Sequence, residues 1–199
     1  MWYCMTVFLF HKGSLDEMFF IVKKGGIMKE FTGTLKKNRE WIFNQLLKYA
    51  TEQGYVKYSS TLKEAWLVSI DNLSESLINA LETSEEPFSM HPDDNFTDDP
   101  RMSYGVLQAQ KHRERGINLG MFLGLLKYYR QSYIDLICQA GFDGESKKRY
   151  RLFVERFFDR MEIAVSVEWN QKDNSAAIKE LQTANRNPRD TETACRIWW

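Results

Sequence analysis

Cysteine, proline and net charge are all scarce in this chain. The three cysteines, Cys4, Cys138 and Cys195, stand far apart with no C-x-x-C pair, which excludes a disulfide framework and a zinc knuckle and suits a reducing compartment. The 27 basic and 27 acidic side chains cancel, which removes the strongly basic domain from which a nucleic-acid reading begins. Long apolar runs are missing as well. The greasiest interior stretch, LGMFLGLL, gives way to Lys127 and Arg130, well short of the roughly 20 apolar residues that span a bilayer. The opening MWYCMTVFLF has no basic residue before it and no small-residue cleavage site after it, a poor match to a signal peptide. These absences lead us to expect a cytoplasmic protein with no membrane span and no nucleic-acid partner.

Enzyme signatures are absent in the same way. No G-x-x-x-x-G-K-S/T phosphate loop, G-x-G-x-x-G, H-E-x-x-H or G-x-S-x-G occurs, so catalysis is not expected. A metal in the acidic stretch is not expected either, because its carboxylates do not follow the D-x-D-x-D-G spacing of a calcium loop.

What is present is charge in blocks and a helical pattern. Residues 64–100 carry ten acids and no Lys or Arg, whereas residues 101–160 carry twelve basic side chains against six acids. Three of the four prolines fall at positions 87, 92 and 100, leaving the rest free to form long helices. Trp41, Ile42, Leu46, Leu47 and Ala50 predict a helix ending near Gly54. Leu62, Trp66, Ile70, Leu73, Leu77 and Leu81 line one face of the next, with Thr61 to Glu64 as a capping box at its start.

TSEEPFSMHPDDNFTDDP (83–100) then reads as a long acidic loop, either a lid, partner site or cation-attracting surface, or a solvated connector. Asp99-Pro100 opens a helix through KHRER to Gly116. Asn118 caps the next helix, whose buried side is Leu119, Phe122, Leu123, Leu126, Tyr133, Ile137 and Ala140. Its first two turns are apolar almost all round, which places that end at the centre of the core. A further helix carries Tyr150, Phe153, Phe157, Met161, Ala164 or Val165, and Trp169. The fold class is therefore all-α, a single-domain bundle of five to six helices over residues 29–170. A connecting helix at 171–186, seamed by Ile178 and Leu181 with Asn174 and Asn185, precedes an irregular tail at 187–199. Residues 1–28 form an N-terminal extension in which VFLF and MFFIV fit strands or a short helix.

Two groups of side chains carry the candidate chemistry. His112 is the one histidine within a helical pattern, and it fits an axial haem ligand, a general base or a structural hydrogen bond at a helix end. Arg113, Arg115, Lys127 and Arg130, with Tyr129 and Tyr133 near them, fit either a pocket for an anionic ligand or internal ion pairs with Asp135, Glu155, Asp159, Glu162 or Glu168 on a facing helix.

HRERGINLGMFLGLLKYYRQSYIDLI (112–137), KYSSTLKEAWLVSI (57–70) and RFFDRMEIAVSVEW (156–169) together resemble the N-terminal helical input region of bacterial PAS-containing sensor histidine kinases, over about residues 30–186. Glu180 to Arg186, ELQTANR, is similar to the connecting helix that leads into the PAS domain of such proteins. The tail does not continue into a PAS domain, and neither a phosphoacceptor box nor an ATP-binding glycine motif occurs. The resemblance thus implies a non-catalytic sensory module without a resident cofactor, relaying a signal through its C-terminal helix, dimeric, and acting on a signalling-protein partner. It leaves a globin-like packing open. A haem-binding gas sensor using His112, or a helical protein-interaction module, is the alternative.

Overall fold

The computed structural model describes residues 29–83 and 90–185, with side chains through Asn170. Among the described residues there are six α-helices and no strand, an all-α bundle. They are α1 (29–37), α2 (Arg39–Glu52), α3 (Lys63–Thr83), α4 (Ser103–Glu114), α5 (Leu119–Gln139) and α6 (Gly144–Asn185). Among the described residues no helix is long and apolar enough to cross a membrane. The N-terminal VFLF and MFFIV segments and the tail at 187–199 lie outside the described residues.

Local chemistry sets most of the helix ends. Gly54 and Gly116 take positive φ values of 75° and 79°, the left-handed conformation that closes a helix and that glycine adopts without strain. Asn118 caps α5 by accepting from the Met121 amide at 2.9 Å, and Asp99 accepts from the Arg101 amide at 3.0 Å just before Pro100.

The start of α3 differs from the capping-box expectation. The helix begins at Lys63, where Ser60 Oγ accepts from the Leu62 amide and Trp66 Nε1 donates to the Ser60 carbonyl at 2.7 Å. Trp66 anchors the turn, so Thr61 falls ahead of the cap and Leu62, 63% exposed, leaves the apolar face. The connecting helix is not a separate element. α6 runs unbroken for 42 residues, about 63 Å at 1.5 Å per residue, because its polar stretch after Trp169 contains no proline or glycine. Ile178, Leu181 and Asn185 lie on this helical backbone, with side chains outside those described.

The core is aromatic at one end and aliphatic at the other. Phe31 of α1 stacks on Tyr150 at 4.5 Å, with Phe142 edge-on to both, a geometry worth about 0.5–1.5 kcal/mol per pair beyond burial. Ile42 and Leu46 of α2, Ile70 and Leu77 of α3, and Phe157 and Phe158 of α6 fill the middle. Arg39 of α2 forks onto Asp71 of α3 at 2.5 and 2.6 Å. Tyr49 donates to Asp135 of α5 at 2.6 Å, a bond that raises the phenol above its ordinary value.

The acidic block is fastened rather than free at its described end. Arg160 of α6, only 6% exposed, donates to Asp99 and to Asp94 at 2.7 Å each and lies over the Phe96 ring. Arg101 forks back onto Asp99. Burial alone would raise the Asp99 carboxyl, but the bonds from Arg101 and Arg160 outweigh it and pull the group down to about 2. Serine and backbone contacts could not offset two buried charges; only their mutual pairing can.

Asp99 therefore contributes stability that is complete above its ordinary value of 3.8 and is lost as pH falls toward 2. Urea unfolding between about pH 5 and about pH 2.5 should show a smaller loss of stability in Asp99→Asn than in the wild type. At neutral pH, Arg160→Met should lower stability by about 1–3 kcal/mol, since it removes one of the two cations bonded to buried Asp99, leaving Arg101 in place.

Candidate functional site

The first half of α5 is not at the centre of the core. Its fully buried residues begin at Leu126 and cluster at Tyr133 to Ile137, while Leu119, Phe122, Leu123 and Leu125 are only half-buried. Leu119 and Leu123 pack against the edge of the core, while Met121, Phe122 and Leu125 line a cleft. The cleft, about 840 Å³ and open to solvent on one side, lies between the N-terminal half of α3, the length of α4 and the start of α5.

Each helix supplies a distinct part of it. Trp66, Val68, Ser69 and Leu73 come from α3, Tyr104, Leu107 and His112 from α4, and Phe122, Leu126 and Tyr129 from α5. α6 contributes Met161 to the same surface. Two glycines permit the close approaches that shape the walls. A Cβ on Gly105 would stand 2.7 Å from Met161 Cγ, and one on Gly124 would stand 1.9 Å from the Tyr55 hydroxyl. Helix α4 thus sits down on Met161, and Tyr55 lies against α5 with its ring edge-on to Tyr128 at 5.7 Å.

Polar groups are few and placed at two levels. In the wall stand the hydroxyls of Ser69, Tyr104 and Tyr129, with Ser69 donating to the Ala65 carbonyl at 3.0 Å. Burial pushes both phenols above their ordinary value, so they remain neutral hydrogen-bonding groups. At the mouth, Lys111 on the last turn of α4 and Arg115 at its C-cap are both exposed and without an acidic partner among the described residues. Nδ1 of His112 shares a 2.8 Å hydrogen bond with the Gln108 carbonyl, and its ring lies 5.0 Å from Phe122.

The candidate residues read from the sequence separate into three places. His112, Arg115 and Tyr129 meet in the cleft. Lys127 and Arg130 turn to α6, Lys127 bonding Glu162 and Arg130 reaching Asp159 at 3.1 Å, so internal ion pairs account for them and no anion pocket forms around the set. Tyr133 is fully buried, its hydroxyl 2.7 Å from Ser74 Oγ and 3.2 Å from the Ile70 carbonyl. Of the basic KHRER and KYYR residues, Arg113, Lys127 and Arg130 pair with acids of α6 and not with the acidic loop, where Arg160 pairs with Asp94 and Asp99 and Arg101 with Asp99.

Arg113 has a more specific position. Its guanidinium donates to the carbonyls of Glu168 and Trp169 at 2.7 and 3.2 Å and to the Glu168 carboxylate at 3.2 Å. Phe122, packed on His112 at one side, lies 5.6 Å from the Trp169 ring at the other. Trp66, Ser69, Tyr104, Phe122 and Met161 went unrecognised as site residues because each also fits a core-facing helical position. Among the described residues no cluster of three or more potential metal ligands occurs.

No family model, curated protein or solved structure matches this chain.

The Gly124–Tyr55 contact is open to a direct check. Gly→Ala inside a helix ordinarily gains up to about 1 kcal/mol, yet Gly124→Ala should lower thermal stability because the new methyl must expel Tyr55. Combining it with Tyr55→Ala should recover most of the helix gain relative to Tyr55→Ala alone.

Proposed function

We propose that this chain is a non-catalytic sensory module of the histidine-kinase input kind, in which occupancy of the α3–α4–α5 cleft is relayed to α6. The observation that carries the reading is that two walls of the cleft end on one short stretch of α6. Arg113, next to the cleft residue His112, grips the Glu168 and Trp169 carbonyls, and Phe122 bridges His112 and Trp169. Any occupant that moves Phe122 or the last turn of α4 must therefore move α6 at residues 168–169 or break those bonds.

A packed contact of this kind passes on displacement because its neighbours have no free space to absorb it. Beyond Trp169 the helical backbone continues through 170–185, about 24 Å more, and this is the output arm. Affiliation with histidine kinases is supported by the resemblance of the 57–70, 112–137 and 156–169 segments and of ELQTANR. The heptad-like spacing of Asn174, Ile178, Leu181 and Asn185 supports a dimer formed by that arm, and a cytoplasmic signalling protein is the partner it would address.

The relay can be tested without knowing the signal by filling the cleft. Ala65→Trp and Leu125→Trp, each placing an indole in it, should change amide hydrogen exchange at residues 165–172 by about fivefold or more, the lower range of allosteric couplings. Leu152→Trp, on an exposed face of α6 away from the cleft, should not. Unchanged exchange at 165–172 in both cleft-filling variants would contradict the relay.

A further inference from the structure

We infer that the occupant of the cleft is an amphipathic α-helix of another protein, apolar on one face and acidic on its flank. The inference deepens the reading of the cleft as the signal-receiving site. Its first support is the rim. Tyr58, Val68 and Leu107 line the opening with much of their surface exposed. Large apolar side chains gathered around one opening mark a surface that another molecule covers.

A small molecule held in the interior would leave those rim residues wet. A helix, about 10 Å across with its side chains, would reach them while inserting apolar residues toward Trp66, Leu126 and Met161. The groove is walled along its length by helices α3 and α4, the arrangement that receives amphipathic helices through anchors at i, i+3 or i+4, and i+7.

Charge supplies the polarity of the partner. Lys111 and Arg115 form one edge of the mouth and have no acid against them among the described residues, whereas Arg113, Lys127, Arg130 and Arg160 are all engaged with acids. Glu64 is the single acid among the described lining residues. Asp or Glu on the flank of the incoming helix would meet Lys111 and Arg115, and a basic helix would meet two like charges. The hydroxyls of Tyr104 and Tyr129 with Ser69 offer hydrogen bonds to any polar atom carried inward.

The experiment uses a displayed library of random 16-residue peptides selected on the full chain and counter-selected on a Val68→Glu/Leu107→Glu variant. Both substitutions sit at exposed positions, and circular dichroism checks that the variant remains helical. Enriched peptides should carry apolar residues at i, i+3 or i+4, and i+7 with an excess of Asp and Glu. A synthetic copy of an enriched peptide should bind about tenfold or more weakly to Lys111→Glu/Arg115→Glu. Four results would overturn the inference: no cleft-dependent enrichment, enrichment of extended or basic sequences, a second copy of the chain occupying the groove, or haem uptake with a Soret band abolished by His112→Ala. The exchange measurement on cleft-filling variants is independent of the library, so failure of the relay and failure of the helix partner are separable.

Discussion

The Arg160 ion cluster is the constraint on which the arrangement of α4 depends. Arg160 and Asp99 are drawn out of water together, with half-buried Asp94 bonded to the same guanidinium, and burial on that scale is tolerated only when each charge is paired with good geometry. The cluster therefore fixes the chain immediately before α4 onto the middle of α6. At the other end of the helix Arg113 grips Glu168 and Trp169. Between the two fastenings Gly105 lets Met161 fit against the α4 backbone. α4 is thus held to α6 at both ends and along its length, and the two helices run in the same direction.

With α4 held to α6, the space beside it toward α3 and the start of α5 is where the cleft lies. Its walls are apolar enough to favour an occupant by area alone, at roughly 25 cal/mol per Å² of apolar surface covered. Its polar groups include neutral phenols inside and, at the mouth, Lys111 and Arg115, which have no acid against them among the described residues. Recognition and output consequently share residues: Met161 of α6 lies in the cleft surface, and Phe122 belongs both to that surface and to the contact with Trp169 of α6, with His112 packed on its other side. That shared membership is the physical basis for expecting communication, since a site whose walls were independent of α6 could bind without consequence for it.

Much of the scaffold was legible in the sequence, and the reasons are local. Asn118 as a cap and Gly54 and Gly116 as helix ends depend on chemistry within four residues, and each occurs as read, whereas Asp99-Pro100 opens a single 3-10 turn, Pro100–Met102, ahead of α4. The ion pairing of Lys127 and Arg130 with Glu162 and Asp159 was also readable, because cations on one long apolar helix require acids on whichever helix faces it. Leu62 and the first turns of α5 were misread for one reason. Periodicity shows that a face is apolar but not whether another helix stands across from it, so the apolar lining of a cleft and a packed core look alike. The unbroken α6 was hidden by its change of composition after Trp169, where a polar stretch suggested a boundary although nothing in it stops a helix. Arg113 and Arg115, two residues apart, point to opposite fates, one gripping α6 and one open at the cleft mouth, and that separation depends on contacts more than fifty positions away.

The central claim is that the cleft and the exit of α6 form one mechanical unit. Its most direct measurement is the distance distribution between spin labels at the exposed positions 62 and 167, in a background with Cys4, Cys138 and Cys195 replaced by serine, recorded with the cleft unaltered and with Leu125→Trp filling it. The account expects the distribution to shift by about 2 Å, the scale of helix displacements in switching proteins, and expects Arg113→Ala to diminish the shift. Superimposable distributions for the filled and unfilled cleft would contradict it.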